Sequence, residues 1–180
     1  MSYLFYIVIN LLFSLIAYIL NPIIVLFSDS SGNLPPYLSW FQTQDASLDQ
    51  TPEFIAENWP YLVGTSKIKV YLQRLFWLSR NCAYGFAYSV CGKDINYNNV
   101  IIKGNKSCSN TDGVSGYRFL YDKSKFILLR PWSIYTAFQY GSSSLCFQVY
   151  LGWKISTDNR TDIHREMLAM RVNPIMSFKH

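Results

Sequence analysis

A chain of 180 residues that is 50% hydrophobic, 17% aromatic and 15% charged lies on the apolar, charge-poor side of globular averages. The net charge of +5 hides an asymmetry: residues 1–66 hold five acids and no Lys or Arg (−5), and residues 67–180 hold all 16 bases against six acids (16 − 6 = +10). Cys82, Cys91, Cys108 and Cys146 show none of the two-to-four-residue gaps of a zinc knuckle or a redox C-x-x-C, which leaves reduced structural cysteines as the favoured reading.

Tyr3 to Phe27 is a 25-residue run without a charge, interrupted by Asn10, Ser14 and Asn21-Pro22. A spanning helix needs roughly 20 apolar residues, so residues 1–27 read as a membrane segment with a kink at Pro22. A secretory signal peptide fits less well, because the charged n-region and a small-x-small cleavage site are missing. A buried core helix is the other competitor. The first base after the segment is Lys67, so the positive-inside rule gives only a lean towards a cytoplasmic body.

Residues 28–65 read as an acidic, aromatic connecting arm. It opens with the turn chemistry of "DSSGNLPP", continues through Tyr37 to Phe41, and ends in a short helix begun by Pro52 and running to Trp59. Residues 66–92 change to helical spacing: Ile68, Tyr71, Leu72, Leu75, Phe76 and Leu78 recur at intervals of three and four, with Lys69, Gln73, Arg74 and Arg80 largely opposite. This is a basic amphipathic helix that loosens at Gly85 and Gly92. Lys69, Arg74, Trp77, Arg80, Tyr84 and Phe86 are the candidate membrane-interface residues, the cations reaching headgroups while the rings sit at the interface. Packing of the same stripe on a C-terminal sheet is the equal alternative.

Residues 93–180 read as short strands: Val100 to Ile102, Tyr117 to Tyr121, Lys125 to Leu129, Ile134 to Tyr140, Leu145 to Ile155 and Met167 to Val172. The clearest alternates Leu145, Phe147, Val149, Leu151, Trp153 and Ile155 with more polar residues at strict period two. The fold class is therefore α+β: an N-terminal membrane-associated helix, an amphipathic helix and a C-terminal antiparallel β-meander.

Chemistry finds little support. His164, beside Asp162 and Glu166, could serve as a general base or ligand, but a charged connector explains the same letters; His180 is the last residue. Ser66 to Lys69 matches S-x-x-K without its partner motifs, and phosphate-loop, dinucleotide and H-E-x-x-H patterns are missing. No catalytic residue, metal site or cofactor is expected, and the chain reads as non-enzymatic. Tyr117, Phe119 and Tyr121 beside Arg118, Lys123, Lys125 and Arg130 could form a base-stacking platform, but alternating aromatics are more often core, so nucleic acid is the less favoured partner.

Several stretches carry a resemblance: Asn21-Pro22 to Phe27, Gly32-Asn33-Leu34-Pro35, Trp40 to Thr43, Asp45 and Leu48-Asp49, Arg80-Asn81 with Ala83 to Phe86, and Tyr150 to Lys154. In this order they resemble a family of small proteins of unknown function encoded by tailed bacteriophages. Cys82 stands where that pattern has Pro, which relaxes the helix stop. The resemblance implies a phage product with an N-terminal membrane segment and brings no activity or cofactor. The expectation is a single-pass accessory protein of the host inner membrane, partnered by the lipid bilayer and by host or phage membrane proteins, acting in superinfection exclusion or membrane remodelling. The alternative is a virion or assembly component binding protein or DNA through the basic β-domain.

Overall fold

The computed structural model describes residues 2–127 and 129–179. It is an α+β protein whose chain divides into two compact units, Val8–Val90 and Met1–Ile7 with Cys91–His180. The expected membrane segment, arm and amphipathic helix thus build one unit together, apart from the first turns of the first helix, and the boundary with the strands falls just before Cys91 rather than after Gly92.

In the first unit, α1 (Ser2–Ile24) continues into a 3-10 turn, Val25–Phe27, with Pro22 inside the helix. The arm is ordered by its own polar atoms. The Asp29 carboxylate accepts from the Ser31 and Asn33 amides at 2.8 and 2.9 Å, and the Gln42 side chain ties the Leu34 amide to the Ala46 carbonyl. Helix α2 (Pro52–Asn58) starts as its sequence demands, with Thr51 Oγ1 accepting from the Phe54 amide and Pro52 in the first turn. Helix α3 (Lys67–Arg80) is the expected amphipathic helix. A short helix, α4 (Tyr84–Ser89), follows a turn in which Ala83 takes the left-handed conformation at φ 58°. Gly85 lies inside α4 and is not a hinge. A Cβ there would stand 2.1 Å from the Ser39 carbonyl oxygen, and the neighbouring Phe86 amide donates to the Trp40 carbonyl at 2.9 Å, so glycine is needed for close backbone approach.

In the second unit, β2 (Val100–Gly104), β3 (Gly116–Asp122), β4 (Trp132–Gln139), β5 (Leu145–Trp153) and β7 (Leu168–Ser177) form an antiparallel sheet in the order β2-β3-β4-β5-β7. The sequence reading lacked β1 (Lys93–Asn96) and β6 (Ile163–Glu166), which pair with each other as a separate antiparallel ribbon. Four residues each with mixed polarity leave no periodic signal to read. Conversely, the strand expected from Lys125 to Leu129 does not form. Its described residues lie in the loop joining β3 to β4, and Leu128, like the chain-terminal His180, lies outside the described residues.

The sheet buries its more polar face. Tyr135, Ala137 and Cys146 pack with Cys108 of the loop from Asn105 to Ser115 and with Phe178, Gln148 bonds to Asn110 of that loop, and Leu120, Asp122 and Ser133 on the same face are also buried. Some of these groups bond to one another: Tyr135 Oη donates to Asn110 Oδ1 at 2.7 Å and Gln148 Nε2 donates to the same oxygen at 2.8 Å, while Gln148 Oε1 and Asp122 Oδ2 are buried without a partner. The registers Phe119↔Ile134, Ile134↔Leu151, Thr136↔Val149 and Val149↔Val172 place an almost wholly apolar set of side chains on the opposite face, half-buried or exposed. At the Trp132 end of that face, the Tyr3 ring lies 4.8 Å from the Trp132 ring.

Candidate membrane-contact surfaces

Helix α1 is long and apolar enough to cross a membrane, and its two sides are unlike. Asn10, Ser14, Ala17, Asn21 and Ile24 recur at helical spacing on the side turned into the protein, where Ala17 and Asn21 are fully enclosed. Phe13 on this side stacks on Phe86 with ring centroids 4.1 Å apart and lies 5.3 Å from Phe41. Asn21 Nδ2 donates to Cys82 Sγ at 3.8 Å, and that thiol donates to the Ser14 carbonyl at 3.2 Å. On the other side Val8, Leu11, Leu12, Leu15 (62% exposed), Ile16, Ile19 (68%), Ile23 and Leu26 (70%) form an uninterrupted apolar stripe.

Each large apolar side chain moved from water into a bilayer contributes roughly 1.5–3 kcal/mol. A few of them therefore reach the roughly 8 kcal/mol of micromolar binding. The segments that cover the inner side carry charges: Asp29, Asp45, Asp49, Glu53, Glu57, Lys67, Lys69, Arg74 and Arg80. At the bilayer centre each would cost about 3 kcal/mol. The stripe therefore has a favourable route into lipid that its backing does not share.

The six residues expected at the interface lie in this unit, and most turn towards it. Arg74 is a clamp: its guanidinium grips Asp49 with two bonds of 2.6 and 2.7 Å and donates to Ser28 Oγ and the Asp29 carbonyl at 2.9 Å each. Lys69 donates to the Val63 carbonyl. The Trp77 ring sits 5.3 Å from Phe54, Phe86 is buried between Phe13 and Trp40, and Tyr84 is half-buried. Arg80 is exposed; it donates to Asn58 Oδ1 at 2.8 Å and lines a cleft of about 450 Å³ with Tyr18, Pro22, Trp59 and Phe76. The partners of these rings are thus α1, the arm and α2. The periodicity showed which side of α3 is apolar but not what would cover it.

Cys82 does not have the surroundings of a nucleophile. Burial pushes its thiol up, more than the Asn21 contact pulls it down, so it stays protonated near neutral pH. Burial likewise raises the Cys91, Cys108 and Cys146 thiols, and all four cysteines are free.

His164 lies on β6. Its Nδ1 is 3.1 Å from Glu166 Oε1, the same oxygen to which the Tyr97 hydroxyl donates, while the Ser156 amide donates to Tyr97 Oη at 2.9 Å. Burial and the adjoining Glu166 carboxylate together hold the Tyr97 phenol well above its ordinary value. The result is a strap of hydrogen bonds between the β1–β6 ribbon and the loop after β5, with no hydroxyl or thiol set up for attack. Among the described residues no group of three or more His, Cys, Asp or Glu is placed to hold a metal ion.

The base-stacking platform is divided. Tyr117, Phe119 and Tyr121 share the outer apolar face, whereas the Arg118 guanidinium lies on the other face, 4.5 Å over the Tyr135 ring, donating to the Cys108 carbonyl at 2.8 Å. Sequence reasoning also missed the loop after β3, where Phe126, Ile127 and Leu129 are 70%, 70% and 67% exposed. Its signal was the flanking of an apolar run by Lys123, Lys125 and Arg130. That run has the composition of a strand, which concealed the loop.

A family model described as a family of unknown function, DUF7338, matches residues 1–180. The chain belongs to this family. No curated protein and no solved structure matches it.

Proposed function

We propose that this family member is a non-enzymatic accessory protein of a tailed bacteriophage that associates with the host inner membrane through the exposed stripe of α1 and acts on membrane proteins there, in superinfection exclusion or membrane remodelling. The observation that carries the reading is the stripe itself: eight or more large apolar side chains on one helix side, with the polar interruptions of the helix all turned inward. Four free thiols fit a body on the cytoplasmic, reducing side. The phage source rests on the sequence resemblance, and the process on what a membrane-bound chain without catalytic groups can do by contact.

Fractionation of uninfected cells expressing the full chain tests this. The protein is expected in the membrane pellet. Recovery in the soluble fraction, together with its presence in purified phage particles, would overturn the reading in favour of a virion or assembly component.

A further inference from the structure

We infer that the loop joining β3 to β4 is a second membrane-contact site, which inserts Phe126, Ile127 and Leu129 into one leaflet while Lys123, Lys125 and Arg130 engage anionic phospholipid headgroups. The inference rests on the membrane reading above but on a different part of the chain. Three observations carry it. First, the tip side chains are 67–70% exposed, although the same residues read as a strand and had sheet neighbours on either side in sequence. Exposed apolar side chains taken singly are ordinary, but three large ones clustered at one loop tip and rimmed by charged residues have the make-up of an interaction patch.

Second, the tip stands on an ordered base. Asp122, fully buried, accepts from the Ser124 amide at 2.8 Å and the Ser124 hydroxyl at 2.6 Å through one oxygen, and the Lys123 amide donates to the Asn99 carbonyl at 2.9 Å. The Leu129 amide donates to the Phe126 carbonyl at 2.9 Å, and Arg130 Nε donates to the Lys125 carbonyl at 3.3 Å. These bonds hold the described residues on either side of the tip, which lowers the ordering entropy that insertion of Phe126, Ile127 and Leu129 would cost.

Third, the charges choose the partner. Every charged residue from Lys123 to Arg130 is a cation. Apolar tips with a basic collar match an anionic leaflet, where acyl chains receive the tip and phosphates face the collar. A second copy of the same loop would bring like charges together, and nucleic acid offers phosphates but no apolar phase for Ile127 and Leu129.

The test is photocrosslinking of the full chain carrying benzoylphenylalanine in place of Phe126, with a parallel sample carrying it in place of Leu15 on α1; both positions are exposed, so folding is undisturbed. The probe membrane is a vesicle of phosphatidylcholine and phosphatidylglycerol. Lipid adducts are expected from both positions. The adduct at 126 is expected to fall roughly fivefold or more in Lys123→Gln/Lys125→Gln or in pure phosphatidylcholine, because one basic residue near an anionic surface is worth a factor of about five. An adduct at 15 with none at 126, or a protein–protein adduct at 126, overturns this site and leaves the membrane reading standing. Adducts at neither position overturn both.

Discussion

Arg74 shows how one residue changes meaning between sequence and structure. On a helical wheel it is a surface cation; in the fold its side chain is 12% exposed and grips Asp49, itself 40% exposed, with the arm's first turn on its remaining donor. Arg74→Ala would take both bonds from the Asp49 carboxylate and one from the Asp29 carbonyl, which keeps the Gly32 amide. It is expected to cost about 2–3 kcal/mol, seen as a lower urea midpoint, with little recovery in Arg74→Lys, since an ammonium cannot form the two-pronged contact. An unchanged midpoint would mean that the clamp is incidental. Cys91 makes a pH prediction. Burial lifts its thiol from 9.0 to about 11, so the folded state holds the proton more tightly than the unfolded chain. This stabilising contribution is complete below pH 9 and is lost as pH rises through about 11. Burial lifts the Tyr150 phenol from 10.0 to about 12 in the same sense. Stability should fall between pH 9 and 11, and Cys91→Ala should flatten that fall without removing it, as read from urea midpoints at pH 8, 10 and 11.

At the scale of elements, α1 is the informative one. Its existence and length were legible because 25 uncharged residues admit few other readings. Its two-sidedness was not read, because Asn10, Ser14 and Asn21 stood only as interruptions of an apolar run; their spacing with Ala17, of four, three and four residues, carried the signal. Leu15→Asp is expected to lower the sedimented fraction with vesicles while leaving the melting temperature nearly unchanged, because the side chain touches little protein. Ala17→Leu, at a fully enclosed position, is expected to do the reverse, costing about 1–3 kcal/mol of stability. Equal behaviour of the two variants would show that the exposed stripe is not the lipid-facing side. Strand β5 was legible for a similar reason, its strict period two. The alternation did not reveal that the more polar face would be the more enclosed one there, because Cys146 and Gln148 are buried by a loop and a polar network distant in sequence.

At the scale of the whole molecule, the division into an acidic amino-terminal third and a basic remainder survives, but it does not coincide with the structural units. The basic helix α3 joins the acidic arm, and their opposite charges meet at Arg74 and Asp49. For the membrane reading this bears on how α1 sits. A helix backed by charged segments along its inner side lies more favourably along the interface than across the bilayer. Amino- and carboxy-terminal tags on the full chain are then expected on the same side, both digested in inverted membrane vesicles and both protected in spheroplasts. Tags on opposite sides would establish the single-pass seat expected from length alone.

By itself, the sequence determined what depends on local composition and period: the α+β class, the long apolar helix, the amphipathic α3, the main strands and the absence of familiar catalytic spacings. Only the tertiary structure decided what covers each apolar surface. It turned Phe86 and Trp77 inward, left one side of α1 and the tip of the β3–β4 loop uncovered, and enclosed the polar face of the sheet. The physical reason is that hydrophobicity is read residue by residue, while burial is a property of pairs brought together by chain segments far apart.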